Sequence, residues 1–222
     1  MLIAGLAKQS FVDYPGKITA VIFTQGCNLN CFYCHNRQLI PWESKTRQIA
    51  ENEILEFLSQ RRNFLEGVVI TGGEPTLQED LPEFITQIKE QGYPVKLDTN
   101  GTQPDMLRKL LEAHLLDYVA MDLKAPASLF HQICGVQVNQ EDIRDSINLL
   151  LDSTLPHEFR TTWAPGLSQD DIREILLSIP STSPFFLQNY RKQPHSTTAV
   201  PDLELLAVNF PITFSNCQLR GF

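Results

Sequence analysis

The chain has 222 residues, with 18 Lys and Arg against 26 Asp and Glu, a net charge of −8 and a pI near 5.1. That length suits one domain, residues 1–222, with a substantial core, and the acidic balance weighs against nucleic acid and anionic membrane as partners. No apolar run approaches the ~18 residues of a membrane span. The first ten residues show no cleavage pattern, and five cysteines, three of them clustered, point to a reducing compartment and metal use rather than a disulfide framework. The cytoplasm is therefore the expected location.

Short β-rich runs alternate with helical patterns along the chain. Residues 18–24 (ITAVIFT) form a nearly continuous apolar, β-branched run, as a buried parallel strand should. The loop holding Cys27, Cys31 and Cys34 follows directly. Ile54, Leu55, Leu58 and Leu65 give a helical stripe, and 67–71 (GVVIT) a second strand ending in Gly72-Gly73-Glu74-Pro75. Leu81, Phe84, Ile85 and Ile88 share a helix face, with Pro82 tolerated in the first turn and Gly92 as a stop. Residues 94–99 read as a third strand, interrupted by Lys96 and Asp98, and Met106, Leu107, Leu110 and Leu111 as the next helix. A fourth strand covers 116–123. Ile143, Ile147, Leu150 and Leu151 mark a helix, and 158–163 a fifth strand. Ser168 with Asp171 forms a capping pair ahead of the Ile172, Ile175, Leu176, Ile179 stripe. Residues 184–188 read as a sixth strand, followed by a short helix near 203–208 and a strand near 212–214. Six strand–helix repeats imply a parallel sheet with helices outside it. Eight repeats close a full barrel, so six suggest an α/β fold of the open, partial (β/α)6 barrel kind. Catalytic groups then belong at the C-terminal strand ends, which gathers the unusual polar segments at one mouth.

The spacing C-x3-C-x2-C lets Cys27, Cys31 and Cys34 converge on a soft metal centre. An iron–sulfur cubane normally takes four thiolates, so three local cysteines leave one iron open unless Cys134 or Cys217 supplies a ligand. Zinc is the alternative, needing His35 or a remote residue as its fourth ligand. Thiols packed on one helical face are another, weakened by Gly26, Asn28 and Asn30, which favour loops. Gly72 and Gly73 let backbone approach a ligand closely, and Glu74 can pair with an ammonium, although the same string also makes an ordinary turn. Asp98, Thr99, Asn100 and Gly101 suit ribose hydroxyls or a cation held through oxygen, or else a helix cap. Strand period puts Asp122 and Lys124 on one side, where the lysine should meet an anion, either a ligand carboxylate or Asp122 itself. Arg160, Thr162 and Gln188 lie at further strand ends. Asp13-Tyr14-Pro15-Gly16 reads as a rigid loop near the mouth. Cys134 and Cys217 read as buried or incidental thiols, and a second cluster is not expected, because no C-x2-C set lies beyond the first loop.

The C-x3-C-x2-C loop, with aromatic Tyr33 before its third cysteine, resembles the cluster loop of radical S-adenosylmethionine enzymes. The wider string, Asp13-Tyr14-Pro15-Gly16, then Thr24-Gln25-Gly26-Cys27, then Tyr33-Cys34-His35-Asn36, resembles the anaerobic ribonucleoside-triphosphate reductase activating proteins and, more loosely, pyruvate formate-lyase activating enzyme. Later motifs recur in the right order, so the likeness covers essentially the whole chain. The resemblance implies an oxidoreductase with the partial barrel. It implies one [4Fe-4S] cluster on Cys27, Cys31 and Cys34, whose open iron chelates S-adenosyl-L-methionine. It implies that the 5′-deoxyadenosyl radical made there takes a hydrogen from a glycine of anaerobic ribonucleotide reductase, a glycyl-radical enzyme. A low-potential electron donor such as flavodoxin or ferredoxin is implied as well. Tyr33 is expected along the adenine and His35 at its edge, with Gly72, Gly73 and Glu74 on the methionyl amino group. Asp98, Thr99 and Asn100 are expected to line the cofactor, beside a place for a monovalent cation, and Asp122, Lys124 and Gln188 complete the cofactor set. No side chain is assigned a catalytic role. Two other readings remain: radical chemistry on a small metabolite or peptide, and a non-catalytic metal-binding module.

Overall fold

A computed structural model describes residues 1–43, 47–191 and 216–220. Eight strands form one sheet in strict chain order: β1 (Ile3–Ser10), β2 (Thr19–Thr24), β3 (Gly67–Gly72), β4 (Val95–Thr99), β5 (Tyr118–Asp122), β6 (His157–Trp163), β7 (Phe185–Asn189) and β8 (Cys217–Arg220). β1 is antiparallel to β2, and every later pairing is parallel. β1 and β8 sit at opposite edges, so the sheet does not close. Parallel strands in sequential order need crossovers of one hand, which stack all the helices on the same side. These are α1 (Glu51–Ser59), α2 (Leu81–Glu90), α3 (Pro104–Glu112), α4 (Phe130–Cys134), α5 (Gln140–Asp152) and α6 (Gln169–Leu177).

Alternation along each strand gives the two faces different chemistry. Val68, Ile70, Val95, Leu97, Val119, Met121, Phe159 and Phe185 have no exposed surface and belong to one apolar cluster with Leu81, Phe84, Ile85 and Ile88 of α2 and Leu110 of α3. Each such side chain contributes about 1.5–3 kcal/mol by burial, enough to fix strand register, since a slip of one residue would turn them all to the wrong face. The opposite face carries Lys96, Asp98, Asp122, Glu158, Arg160, Thr162, Gln188 and Arg220. Lys96 and Asp98 therefore do not interrupt β4; they are its inward-facing half. Local signals set the helix ends as expected. Pro82 sits in the first turn of α2, Gly92 follows it at φ +88°, and Ser168 with Asp171 closes a reciprocal cap on α6.

The six expected strands are all present, within two residues at each end. β1, β8 and α4 are additional. Leu65 falls outside the helix expected there, which ends at Ser59, yet it is still buried. The helix expected near 203–208 and the strand near 212–214 lie outside the described residues.

Candidate active site

The C-terminal ends of the parallel strands open on a cavity of about 880 Å³. All fourteen residues singled out for metal or cofactor line it: Cys27, Cys31 and Cys34, with Tyr33 and His35; Gly72, Gly73 and Glu74; Asp98, Thr99 and Asn100; and Asp122, Lys124 and Gln188. Val12, Asp13 and Pro15 stand at the same cavity, as the loop near the mouth was expected to.

Residues 25–36 form no helix, which removes the helical-face reading of the thiols. The loop is tied down by backbone. Gly26 N–H donates to the Leu39 carbonyl at 2.8 Å, and Cys27 N–H to the Ile40 carbonyl at 3.0 Å. Arg37 Nη1 donates to the Cys31 carbonyl at 3.1 Å, and its Nη2 to Asn30 Oδ1 at 2.9 Å. Burial pushes the Cys27 thiol up to about 12, although the Leu29 N–H, 3.4 Å from its sulfur, favours the thiolate. Cys31 goes the other way, lowered chiefly by its neighbour Cys134, against the effect of burial. Cys134 is buried, as expected. Three thiols on one cavity wall, in a loop held by backbone, suit a multi-iron cluster, while among the described residues no three His, Cys, Asp or Glu side chains gather closely enough for a single metal ion.

The Gly72–Gly73 segment passes so close to the cysteine loop that no side chain fits. A Cβ on Gly73 would stand 2.0 Å from the Gly26 carbonyl oxygen, and Gly73 N–H donates to the Thr24 carbonyl at 2.9 Å. This fixes Glu74, which is 1% exposed. Its carboxylate accepts from Thr76 Oγ1 at 2.5 Å, Thr76 N–H at 3.2 Å, Thr99 Oγ1 at 2.7 Å and Asn100 N–H at 2.6 Å. Burial raises its pKa above the ordinary carboxylate value despite these donors. Among the described residues Glu74 forms no ion pair, unlike Asp98 and Asp122.

Thr99 and Asn100 line the cavity and are also tied into this framework. Thr99 serves Glu74, while Asn100 Nδ2 donates to Asn28 Oδ1 at 3.0 Å and Asn28 Nδ2 to Thr102 Oγ1 at 2.7 Å. Lys124 meets Asp122, one of its two expected anions, at 2.9 Å. Arg160 Nε donates to Asp122 at 2.8 Å and Nη1 to Asp98 at 3.4 Å, and Lys96 pairs with Asp98. Burial works against the charged form of Asp122, but Arg160 and Lys124 outweigh it and hold the carboxyl well below its usual range. His35 Nε2–H donates to the Arg191 carbonyl at 2.7 Å, and its ring lies over Tyr190. Tyr33 is buried with its hydroxyl unpartnered among the described residues.

Sequence reasoning missed Lys96, Glu158 and Arg220. Strand period alone would have placed Lys96 beside Asp98. Arg220, whose guanidinium meets the Glu158 carboxylate at 3.0 and 3.1 Å, lies on a four-residue strand with no signal of its own.

Fold and cavity define an α/β partial-barrel protein with a three-thiol wall beside a buried, cation-less carboxylate. The Radical SAM superfamily profile matches residues 21–179, and the chain belongs to that superfamily, among the glycyl-radical enzyme activating enzymes. It is 35% identical over 197 residues to a protein of Methanocaldococcus jannaschii named as a candidate glycyl-radical enzyme activating enzyme, covering 85% of this chain and 80% of that one. It is 31% identical over 169 residues to the pyruvate formate-lyase 1-activating enzyme of Escherichia coli K12, covering 72% and 66%. The crystal structure of Streptococcus suis SuiB bound to S-adenosylmethionine shares the fold at TM-score 0.69 and 20% identity, over 90% of this chain and 50% of SuiB. Membership implies a [4Fe-4S] cluster and S-adenosylmethionine as cofactors.

Proposed function

We propose that this protein activates anaerobic ribonucleotide reductase by generating a glycyl radical on it. A bound [4Fe-4S] cluster would supply the electron for reductive cleavage of S-adenosylmethionine, the chemistry needed to remove a glycine hydrogen. Cys27, Cys31 and Cys34 hold the iron. Glu74 carries the reading: a buried carboxylate with four donors and no cation is costly unless a cation arrives, and the methionyl ammonium is such a cation. Lys124 keeps donors beyond the one given to Asp122 and takes the methionyl carboxylate. Tyr33 and His35 flank the adenine. Thr99 and Asn100 act by orienting Glu74 and the cysteine loop.

The names of the relatives support a glycyl-radical partner, and the Asp13–Gly16 and Tyr33–Asn36 strings favour the reductase as that partner. An open mouth rimmed by exposed Val12 suits a macromolecular substrate. The electron is expected from a flavodoxin or ferredoxin. The test mixes anaerobically reconstituted protein, reductant, S-adenosylmethionine and the reductase. A glycyl-radical doublet by electron paramagnetic resonance is the expected result. No doublet, with 5′-deoxyadenosine still formed on a metabolite or peptide, would reject the partner.

A further inference from the structure

The monovalent cation expected beside Asp98 meets a wall that already carries its own cations. Strand period puts Lys96 and Asp98 on the same inward face of β4, with Lys96 nearer the strand's start. Lys96 is 1% exposed; its ammonium pairs with Asp98 Oδ1 and lies 6.0 Å from the centre of the Tyr118 ring. Arg160 bridges two acids, with Nη1 3.4 Å from Asp98 Oδ2 and Nε 2.8 Å from Asp122 Oδ1. Lys124 ends the row, 2.9 Å from Asp122 Oδ2. All four carboxylate oxygens thus have a protein nitrogen against them. The hydroxyl next in sequence is committed too: Thr99 Oγ1 donates to Glu74 at 2.7 Å and accepts from Gly101 N–H at 3.1 Å.

Hard cations take shells of oxygen ligands. Here the oxygens of two carboxylates come with three fixed cations, so a further cation is repelled by the row rather than drawn into it. Nor can it displace Lys96. That side chain has almost no exposed surface, and taking its carboxylate away would strand an ammonium in the interior, which is costly. We infer that Lys96, with Arg160, stands in for the monovalent cation: Lys96 is a positioning residue that holds Asp98 in place, and the cavity takes S-adenosylmethionine without potassium or sodium. The residues present therefore do not fit the cation that the resemblance implied. The consequence for S-adenosylmethionine rests on the cofactor reading proposed above, whereas exclusion of the cation rests on these side chains alone.

The competing explanation is that Lys96 merely neutralises Asp98 and leaves room for a cation beside both acids. The test compares full-length, anaerobically reconstituted wild type, Lys96→Arg and Lys96→Met. Melting temperature and S-adenosylmethionine affinity by calorimetry are measured in potassium, sodium and tetramethylammonium chloride at equal ionic strength. The last ion is too bulky for an oxygen shell. Wild type and Lys96→Arg should behave alike in all three salts. Lys96→Met removes the built-in charge and should acquire a cation. Its melting temperature should rise by about 3–6 °C in potassium or sodium over tetramethylammonium, once the salt is tenfold above the dissociation constant. Its S-adenosylmethionine affinity, weakened in tetramethylammonium, should recover in the same salts. A wild type more stable, or tighter in binding, in potassium or sodium overturns the inference. So does a folded Lys96→Met that is indifferent to all three salts. If Lys96→Met does not fold, wild type and Lys96→Arg decide alone. A wild type that takes up no iron defeats the cofactor reading instead, and its melting temperatures still test whether a cation is excluded.

Discussion

Glu74 and Asp122 are both inward-facing acids, yet they call for opposite tests. Glu74 has donors but, among the described residues, no cation. Glu74→Gln keeps the shape and deletes the charge, and a hydrogen bond to a charged group contributes about 1.5–3 kcal/mol. S-adenosylmethionine should therefore bind roughly 10- to 100-fold more weakly by calorimetry, with iron content unchanged. Loss of iron, or unaltered affinity, would show that Glu74 has been misplaced. Asp122 is already satisfied by Lys124 and Arg160. Its carboxyl is held below the unfolded value, so its stabilisation is fully present above about pH 4 and is lost as pH falls from there toward the folded value. Asp122→Asn leaves half-buried Lys124 without its carboxylate and Arg160 with only Asp98, and should cost about 1–3 kcal/mol at pH 7 in urea unfolding. The wild-type advantage should shrink as the pH is lowered through that window. A gap that is constant with pH would mean the ion pairs contribute little.

Between elements, the decisive contact is backbone against backbone where β3 leaves the sheet beside the cysteine loop. Gly73→Ala would drive a Cβ into the Gly26 carbonyl, which has no flexible side chain to yield. Gly92→Ala meets nothing within 4 Å and only forces a left-handed φ on an L residue, a cost of about 1–2 kcal/mol. Reconstitution should thus give a much reduced iron content for Gly73→Ala and full loading for Gly92→Ala; equal loading would show that the glycine contact does not position the thiols. Elements of this kind were legible wherever burial is strong. The continuous apolar runs of β2 and β3 and the Leu81–Ile88 stripe admit few readings. β1 was not legible, because IAGLAKQS is mostly half-exposed and shows neither alternation nor a continuous run. α4 spans five residues, too short for a helical period to appear.

Across the whole molecule, one topological rule did most of the gathering. Every motif singled out at a strand end lies on the same cavity, because parallel strands in sequential order present all their C-terminal ends together. What sequence could not supply was pairing. Asp98 reads as a ribose ligand in isolation, but Lys96 and Arg160 already hold it, and only the assembled sheet shows this. Lys96, Lys124, Arg160, Arg191 and Arg220 line the cavity with Asp13, Glu74, Asp98, Asp122 and Glu158, so their formal charges cancel. The amino-acid end of S-adenosylmethionine, itself a zwitterion, can enter without upsetting that sum. On the proposed reading, three thiolates on a four-iron cube would leave one iron for that end, and cleavage of the sulfonium would need all three. The direct measurement is 5′-deoxyadenosine formed when anaerobically reconstituted protein is reduced with S-adenosylmethionine. Wild type holding about four irons per chain should release it, and Cys31→Ala should release none. Undiminished release from Cys31→Ala, or a colourless wild type with one tightly held zinc and no cleavage, would contradict the three-cysteine cluster.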